Sequence, residues 1–292
     1  LEALPERLSV SGLTLAHCPS LRALPPDMCC GSLEIRDCEA VEEIPGRLQL
    51  RGLSVERCKS LRAVPDELAV YGVILRDLPA LERLPASVAA VRLDFDRLPA
   101  VPSLPARMQF DQATFANLPW LQALPEGIEA ALLSVEVCPN FRALPARLRI
   151  SENLSLRHCV AFAEIPADTI AYEFSCSDAP VLRTLPARWT ALRRISLERC
   201  RGVEALPEGL ALVKDHLDLG GCVGLQRLPK GLRVLRRIDL PNCTALRDLP
   251  PSMPPPEQAE LGGSGLRGLP PGWENSALTW HRVPVTARML FR

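Results

Sequence analysis

The sequence predicts a repeat solenoid of horseshoe or superhelical form, with short parallel β-strands on its concave face and extended or 3₁₀ segments on its convex face. A Leu-Pro pair, in which Ile or Val sometimes replaces Leu, returns every 20 to 22 residues. An alternating LxL triplet follows each pair, which is the period of a strand. Hydrophobic residues make up 47% of the chain but aromatics only 4%, which indicates an aliphatic core.

The repeat follows the pattern LxxLPxxLxVxxLxLxxCxx, as in LEALPERLSVSGLTLAHCPS and LRAVPDELAVYGVILRDLPA. About fourteen units of 20 to 22 residues are predicted over 1–282, and 283–292 is expected to be a C-terminal cap remnant or a linker. The extra residues of the longer units are expected in loops. The prolines that mark the units are Pro5, Pro25, Pro45, Pro65, Pro85, Pro105, Pro125, Pro145, Pro166, Pro186, Pro207, Pro229, Pro250 and Pro270.

Each LxL triplet predicts one strand, with Leu13 and Leu15 facing inward and Thr14 outward. Ordering a 20-residue unit costs on the order of 20 to 40 kcal/mol of backbone entropy, whereas burying its aliphatic side chains returns roughly 10 to 20. One unit therefore cannot fold alone, and neighbouring units must stack as a coil. The Leu-Pro pairs form the opposite wall, because proline removes a backbone donor and disfavours a regular helix there.

One position, three residues after the second inward residue of the strand, is occupied by most of the eleven cysteines. They are Cys18, Cys38, Cys58, Cys138, Cys159, Cys200, Cys222 and Cys243. Leu and Ala occupy the same position in other units, so we expect it to face inward and the thiol to act as a small hydrophobe that donates to a turn carbonyl. Metal ligation, disulfides and a redox relay are the alternatives. The structural interpretation implies a reducing cytosol.

Balanced charge argues against a nucleic-acid partner, since 34 basic residues cancel 34 acidic ones. No apolar run is long enough to span a bilayer, and no signal peptide precedes Leu1, so the chain is expected to be part of a longer protein. We expect a monomer without a cofactor.

The run ISLERCRGVEALPEGLALVKDHLDLGGCVGLQRLP resembles the cysteine-containing leucine-rich repeats of plant intracellular immune receptors. The 20-residue Leu-Pro period is also similar to that of the leucine-rich-repeat effectors that bacteria secrete into host cells by type III secretion, some of which carry a ubiquitin ligase domain. The resemblance implies a leucine-rich-repeat solenoid that binds protein. This sequence differs from those effectors in having Cys where they place Asn, and no ligase domain is recognised in it. The letters CSD at 176–178 match the ligase Cys-x-Asp motif, but Cys176 falls on an inward strand position.

Charge alternates along and across four predicted strands, in two columns beyond the LxL triplet. The first column reads Arg36, Glu56, Arg76, Asp96 and the second Asp37, Arg57, Asp77, Arg97. Equal positions of stacked strands lie about 5 Å apart, so every member is expected to have opposite charges beside it. These charges either neutralise one another on a solvated face or form a polar docking surface through Arg36, Arg57, Arg76 and Arg97.

The centre of the array offers a second candidate surface, where Asn117, Glu136, Arg157 and His158 border a strip of small hydroxyl residues. Trp120 is either an anchor for a partner or a wedge between loops. No acid, base and nucleophile fall in register, so no catalytic residue is predicted.

These features predict a non-catalytic protein-recognition module, and the resemblance implies that it is the target-binding part of a bacterial effector that acts in a host cytoplasm. One alternative is the substrate-recognition domain of a larger enzyme such as a bacterial ubiquitin ligase. Another is a structural repeat protein of the bacterial cytoplasm.

Overall fold

The computed structural model describes residues 1–46, 48–189 and 191–291. The chain forms two compact units, Leu1–Cys138 and Pro139–Arg292. Both are stretches of parallel β-solenoid, which confirms the predicted coil of stacked strands.

In the first unit, consecutive strands pair in parallel with a register of 20 residues, so that Leu13 lies beside Leu33 and Leu33 beside Leu53. The repeat period therefore sets the register directly. The strands are β1 Ser9–Ala16, β2 Cys29–Arg36, β3 Gly52–Glu56, β4 Glu67–Arg76, β5 Ser87–Asp96, β6 Arg107–Ala116 and β7 Glu129–Glu136.

The second unit continues the pattern with shorter strands towards its end. They are β8 Arg149–Arg157, β9 Ile170–Ser177, β10 Ala191–Ser196, β11 Leu212–Asp218, β12 Arg233–Val234, β13 Arg237–Asp239, β14 Gln258–Glu260, β15 Ala277–Trp280 and β16 Val283–Val285. β16 reverses direction and pairs antiparallel with β15. A short helix, α1 Ala287–Leu290, follows β16. The segment 283–291 therefore begins with a strand that pairs with β15 and ends with this helix.

Several strands are longer than the LxL triplet predicts because each turns a corner in its middle. In β4, Val70 and Val73 both lie on the inner side although they are three positions apart, so the two residues between them, Tyr71 and Gly72, point outward. We call these paired outward positions the corner. The extra residues of longer units fall there: the register shifts between Ile150 and Asn153 in β8.

Inward side chains fill the interior of each coil, and the LxL positions are almost completely buried. Phenylalanines on neighbouring turns pack together, as Phe95 does against Phe115 with ring centroids 6.0 Å apart. On the proline wall the chain makes tight turns, such as the one closed by the Met28 N–H and the Pro25 carbonyl at 3.3 Å. One 3₁₀ helix, Trp273–Asn275, is present among the described residues.

Candidate functional site

One residue in almost every turn lies in the left-handed region, immediately before the cysteine position. We call these residues the left-handed row. The backbone N–H of most of these residues still donates to the next turn, as that of Asp37 does to the Glu56 carbonyl at 3.1 Å. The members with a side chain are His17, Asp37, Arg57, Asp77, Arg97, Asn117 and Val137 in the first unit and His158, Asp178, Arg199 and Asn242 in the second.

Charged members of this row pair with their neighbours, as the alternating sequence predicts. Arg57 binds Asp37 through two hydrogen bonds of 2.7 and 2.9 Å. Arg97 binds Asp77 in the same two-pronged way. The Arg57 guanidinium holds the pKa of the Asp37 carboxyl below its ordinary value, and Arg97 does the same for Asp77. These arginines are therefore already occupied.

The first charge column pairs differently from the expected lattice. Arg36 binds Glu34, and Arg76 binds Asp94, so both reach back to carboxylates in the middle of a strand. In each case the mid-strand carboxylate lies closer to the guanidinium than the acids of the arginine's own column do. All four arginines of the predicted docking surface are thus engaged within the first unit.

The other first-unit candidates also make internal contacts. The Asn117 amide donates to Asp96 at 2.7 Å, and Glu136 accepts a hydrogen bond from Ser134 at 2.7 Å. The indole N–H of Trp120 donates to the Leu98 carbonyl at 2.6 Å, which ties its loop to the preceding turn. The wedge interpretation accounts for this contact.

Val137 is a residue that sequence reasoning missed. Its φ of 52° is strongly unfavourable for a β-branched residue, and it is 44% exposed. An exposed, strained residue next to Glu136 fits a functional position. The available signal was a lone Val in a column whose other members in the first unit are charged or polar.

In the second unit, Arg157 and His158 are both exposed and lie next to each other at the end of β8. His158 Nδ1 lies 3.1 Å from Asp178 Oδ2. Arg199 also binds Asp178, with two hydrogen bonds of 2.7 Å, and thereby lowers the pKa of its carboxyl. Asp178 thus has two side-chain partners, Arg199 and His158.

Arg157 has no such partner. Its register neighbour in β9 is Ser177, which has no charge, and its guanidinium forms no salt bridge with any residue that the structure describes. Two residues earlier, Ser155 is buried and its hydroxyl oxygen lacks a hydrogen-bond partner. The exposed guanidinium of Arg157 therefore remains able to bind an external acceptor, and bonds of this charge-assisted kind are the strong ones.

The cysteine position is structural in its contacts. Cys222 donates to the Leu197 carbonyl at 2.9 Å and Cys243 to the Leu219 carbonyl at 3.0 Å, in each case on the preceding turn. Burial raises the pKa of the Cys243 thiol to about 12. All eleven cysteines are free thiols, and no metal-ligating cluster occurs in 1–46, 48–189 and 191–291.

Cys176, the cysteine of the CSD letters, is buried in β9. Its side-chain contact with Cys200 and its burial both raise the pKa of its thiol well above the ordinary value. A buried thiol of raised pKa is a poor nucleophile.

No protein-family model matches the chain, and no curated protein matches it. Within the described part of the chain, no helix has the length and apolarity that crossing a bilayer requires.

Proposed function

We propose that the chain is a non-catalytic protein-recognition module and that Arg157 belongs to its contact surface. The carrying observation is that the Arg157 guanidinium has no ionic partner among the described residues, whereas the comparable arginines of both units do. Five guanidinium donors remain for an external carboxylate or carbonyl. Arginine is also enriched at protein interfaces and in their energetic hot spots.

The neighbourhood supports a protein ligand. The strand face around Arg157 carries the small hydroxyl residues Ser155 and Ser175, which lie side by side in the register of β8 and β9. Small side chains at these positions let a partner backbone approach the strand face closely.

The repeat pattern favours the target-binding part of a bacterial leucine-rich-repeat effector, secreted by type III secretion and acting in the reducing cytosol of a host cell. In the second version of this proposal, the same surface selects substrates for a ubiquitin ligase domain elsewhere in the full-length protein. The buried, reduced thiols fit a reducing compartment in both versions.

The test compares immobilised wild-type chain, Arg157→Glu and the control Arg188→Glu in plant and animal cell lysates, with retained proteins identified by mass spectrometry. Arg188 is exposed and has no salt-bridge partner among the described residues, but it follows Pro186 on the proline wall. We expect proteins that wild type and Arg188→Glu retain but Arg157→Glu loses.

Melting temperatures of all three chains should agree, because neither exposed arginine is paired. Equal retention by all three chains contradicts the proposal. Ubiquitination of the captured partner by the full-length protein favours the ligase version.

A further inference from the structure

A shallow apolar groove crosses four consecutive turns of the first unit at the corner. Its volume is about 740 Å³, and Leu50, Val70, Ala90 and Phe110 are among its lining residues. Tyr71 rises beside them and is 72% exposed, the most exposed large hydrophobic side chain among the described residues. The groove involves no residue of the proposed recognition surface.

A single charge stands at each end of this groove, Arg51 at one end and Asp111 at the other. Both side chains are exposed, and neither forms a salt bridge with any residue in the described part of the first unit. Their turns are three units apart, and strand spacing of about 4.8 Å places the two charges about 14 Å from each other.

The geometry points to a homodimer, in place of the monomer expected from the sequence, in which two copies of this chain dock groove to groove about a twofold axis. The outermost row of the groove reads Arg51, Tyr71, Val91, Asp111, that is, cation, apolar, apolar, anion. A twofold interface brings the same patch of both copies together in opposite directions. With the axis between Tyr71 and Val91, Arg51 meets Asp111 of the second copy, and Tyr71 meets Val91.

This arrangement satisfies both unpaired charges and covers the apolar row in one step. A purely acidic or purely basic ligand would pair with one end and meet a like charge at the other. The flanking members of the row, Gly31 and Ala131, are small and leave room for the second copy. Eleven residues line the groove, fewer than the roughly 20 to 30 that each partner contributes to a standard protein interface, so we expect reversible association at micromolar concentrations rather than a permanent dimer.

Sedimentation velocity on the full chain, from about 1 to about 200 μM, tests the dimer. We expect the wild-type sedimentation coefficient to rise with concentration towards that of a dimer. Arg51→Asp and Asp111→Arg should each weaken association at least about tenfold, since each creates two like-charge contacts across the axis. An equimolar mixture of the two variants should associate again, because each heterodimer regains both opposite-charge pairs.

Arg22→Asp and Asp27→Arg make the same charge changes on exposed residues outside the groove and should leave association unchanged. Circular dichroism and melting temperature confirm that each variant folds. A wild-type chain that stays monomeric over the whole range overturns the inference. A mixture of the two groove variants that associates no better than either alone also overturns it.

Discussion

Replacing Val137 with Asn should stabilise the protein by about 1 kcal/mol. A left-handed backbone costs an ordinary L-residue roughly 1–2 kcal/mol, whereas Asn tolerates it through local hydrogen bonds. Val137 has φ 52° and remains 44% exposed, so the substitution gives up only part of its apolar contact, roughly 0.5 kcal/mol. Val137→Gly should lie between wild type and Val137→Asn, because glycine loses about 0.5–1 kcal/mol more chain entropy on folding.

Urea unfolding followed by circular dichroism measures the three free energies of unfolding. The matched control is Val160→Asn, since Val160 is 49% exposed and its backbone lies outside the left-handed region. It should change stability by less than about 0.5 kcal/mol in either direction. If Val137→Asn is no more stable than Val160→Asn, backbone strain does not act at this position and the reasoning fails.

Three further predictions concern the thiols, a buried carboxylate and an indole. Maleimide at pH 8 should label exposed Cys29 but not Cys243 in the folded protein, because Cys243 is buried and burial raises its pKa to about 12; intact-mass measurement before and after unfolding checks this, and rapid native labelling of Cys243 contradicts it. Burial alone would raise the pKa of the Asp239 carboxyl, but hydrogen bonds that include one from His216 at 2.7 Å outweigh it and lower that pKa. The contribution of the Asp239 carboxylate to stability is therefore present above its unfolded pKa of about 3.9 and is lost as the pH falls through the lower folded pKa. Urea titrations between about pH 5 and pH 2 should show that acid lowers the free energy of unfolding less in Asp239→Asn than in wild type. An equal loss in the two proteins refutes the assignment. Trp273→Phe should destabilise the protein by about 1–3 kcal/mol, because the buried indole N–H donates to a backbone carbonyl at 3.1 Å; urea unfolding measures it, and a loss below about 0.5 kcal/mol shows that the bond is dispensable.

The strand ladder could be predicted from sequence because alternation and a fixed period act together. Leu13 and Leu33 face inward in adjacent strands because the same residue type returns after 20 residues. The corner was missed because the step from Val70 to Val73 breaks the alternation, and only the backbone path shows why. The left-handed row was not predicted for another reason. Arg57 and Arg97 belong to it, and arginine is not a residue type that indicates a positive φ.

The candidate site was less predictable than the fold. The charge columns in the sequence identify which charged residues lie beside one another in the stack. They do not show whether an arginine binds an acid of its own column or a carboxylate in the middle of a strand. Arg76 therefore binds Asp94 instead of an acid of its own column. On the β9 side Arg157 lies beside the uncharged Ser177, a pairing that depends on strand register.

The corner gives this coil a place to change length without losing alignment. In the second unit the added residue near Ser151 and Glu152 bulges outward, while the inward residues on either side, Ile150 and Leu154, keep their places in the ladder. One turn can thus gain residues at its corner while the strands of the neighbouring turns keep their positions. Protein engineers could graft a foreign binding loop at that bend, and repeat proteins of this kind could acquire new surface loops by the same route.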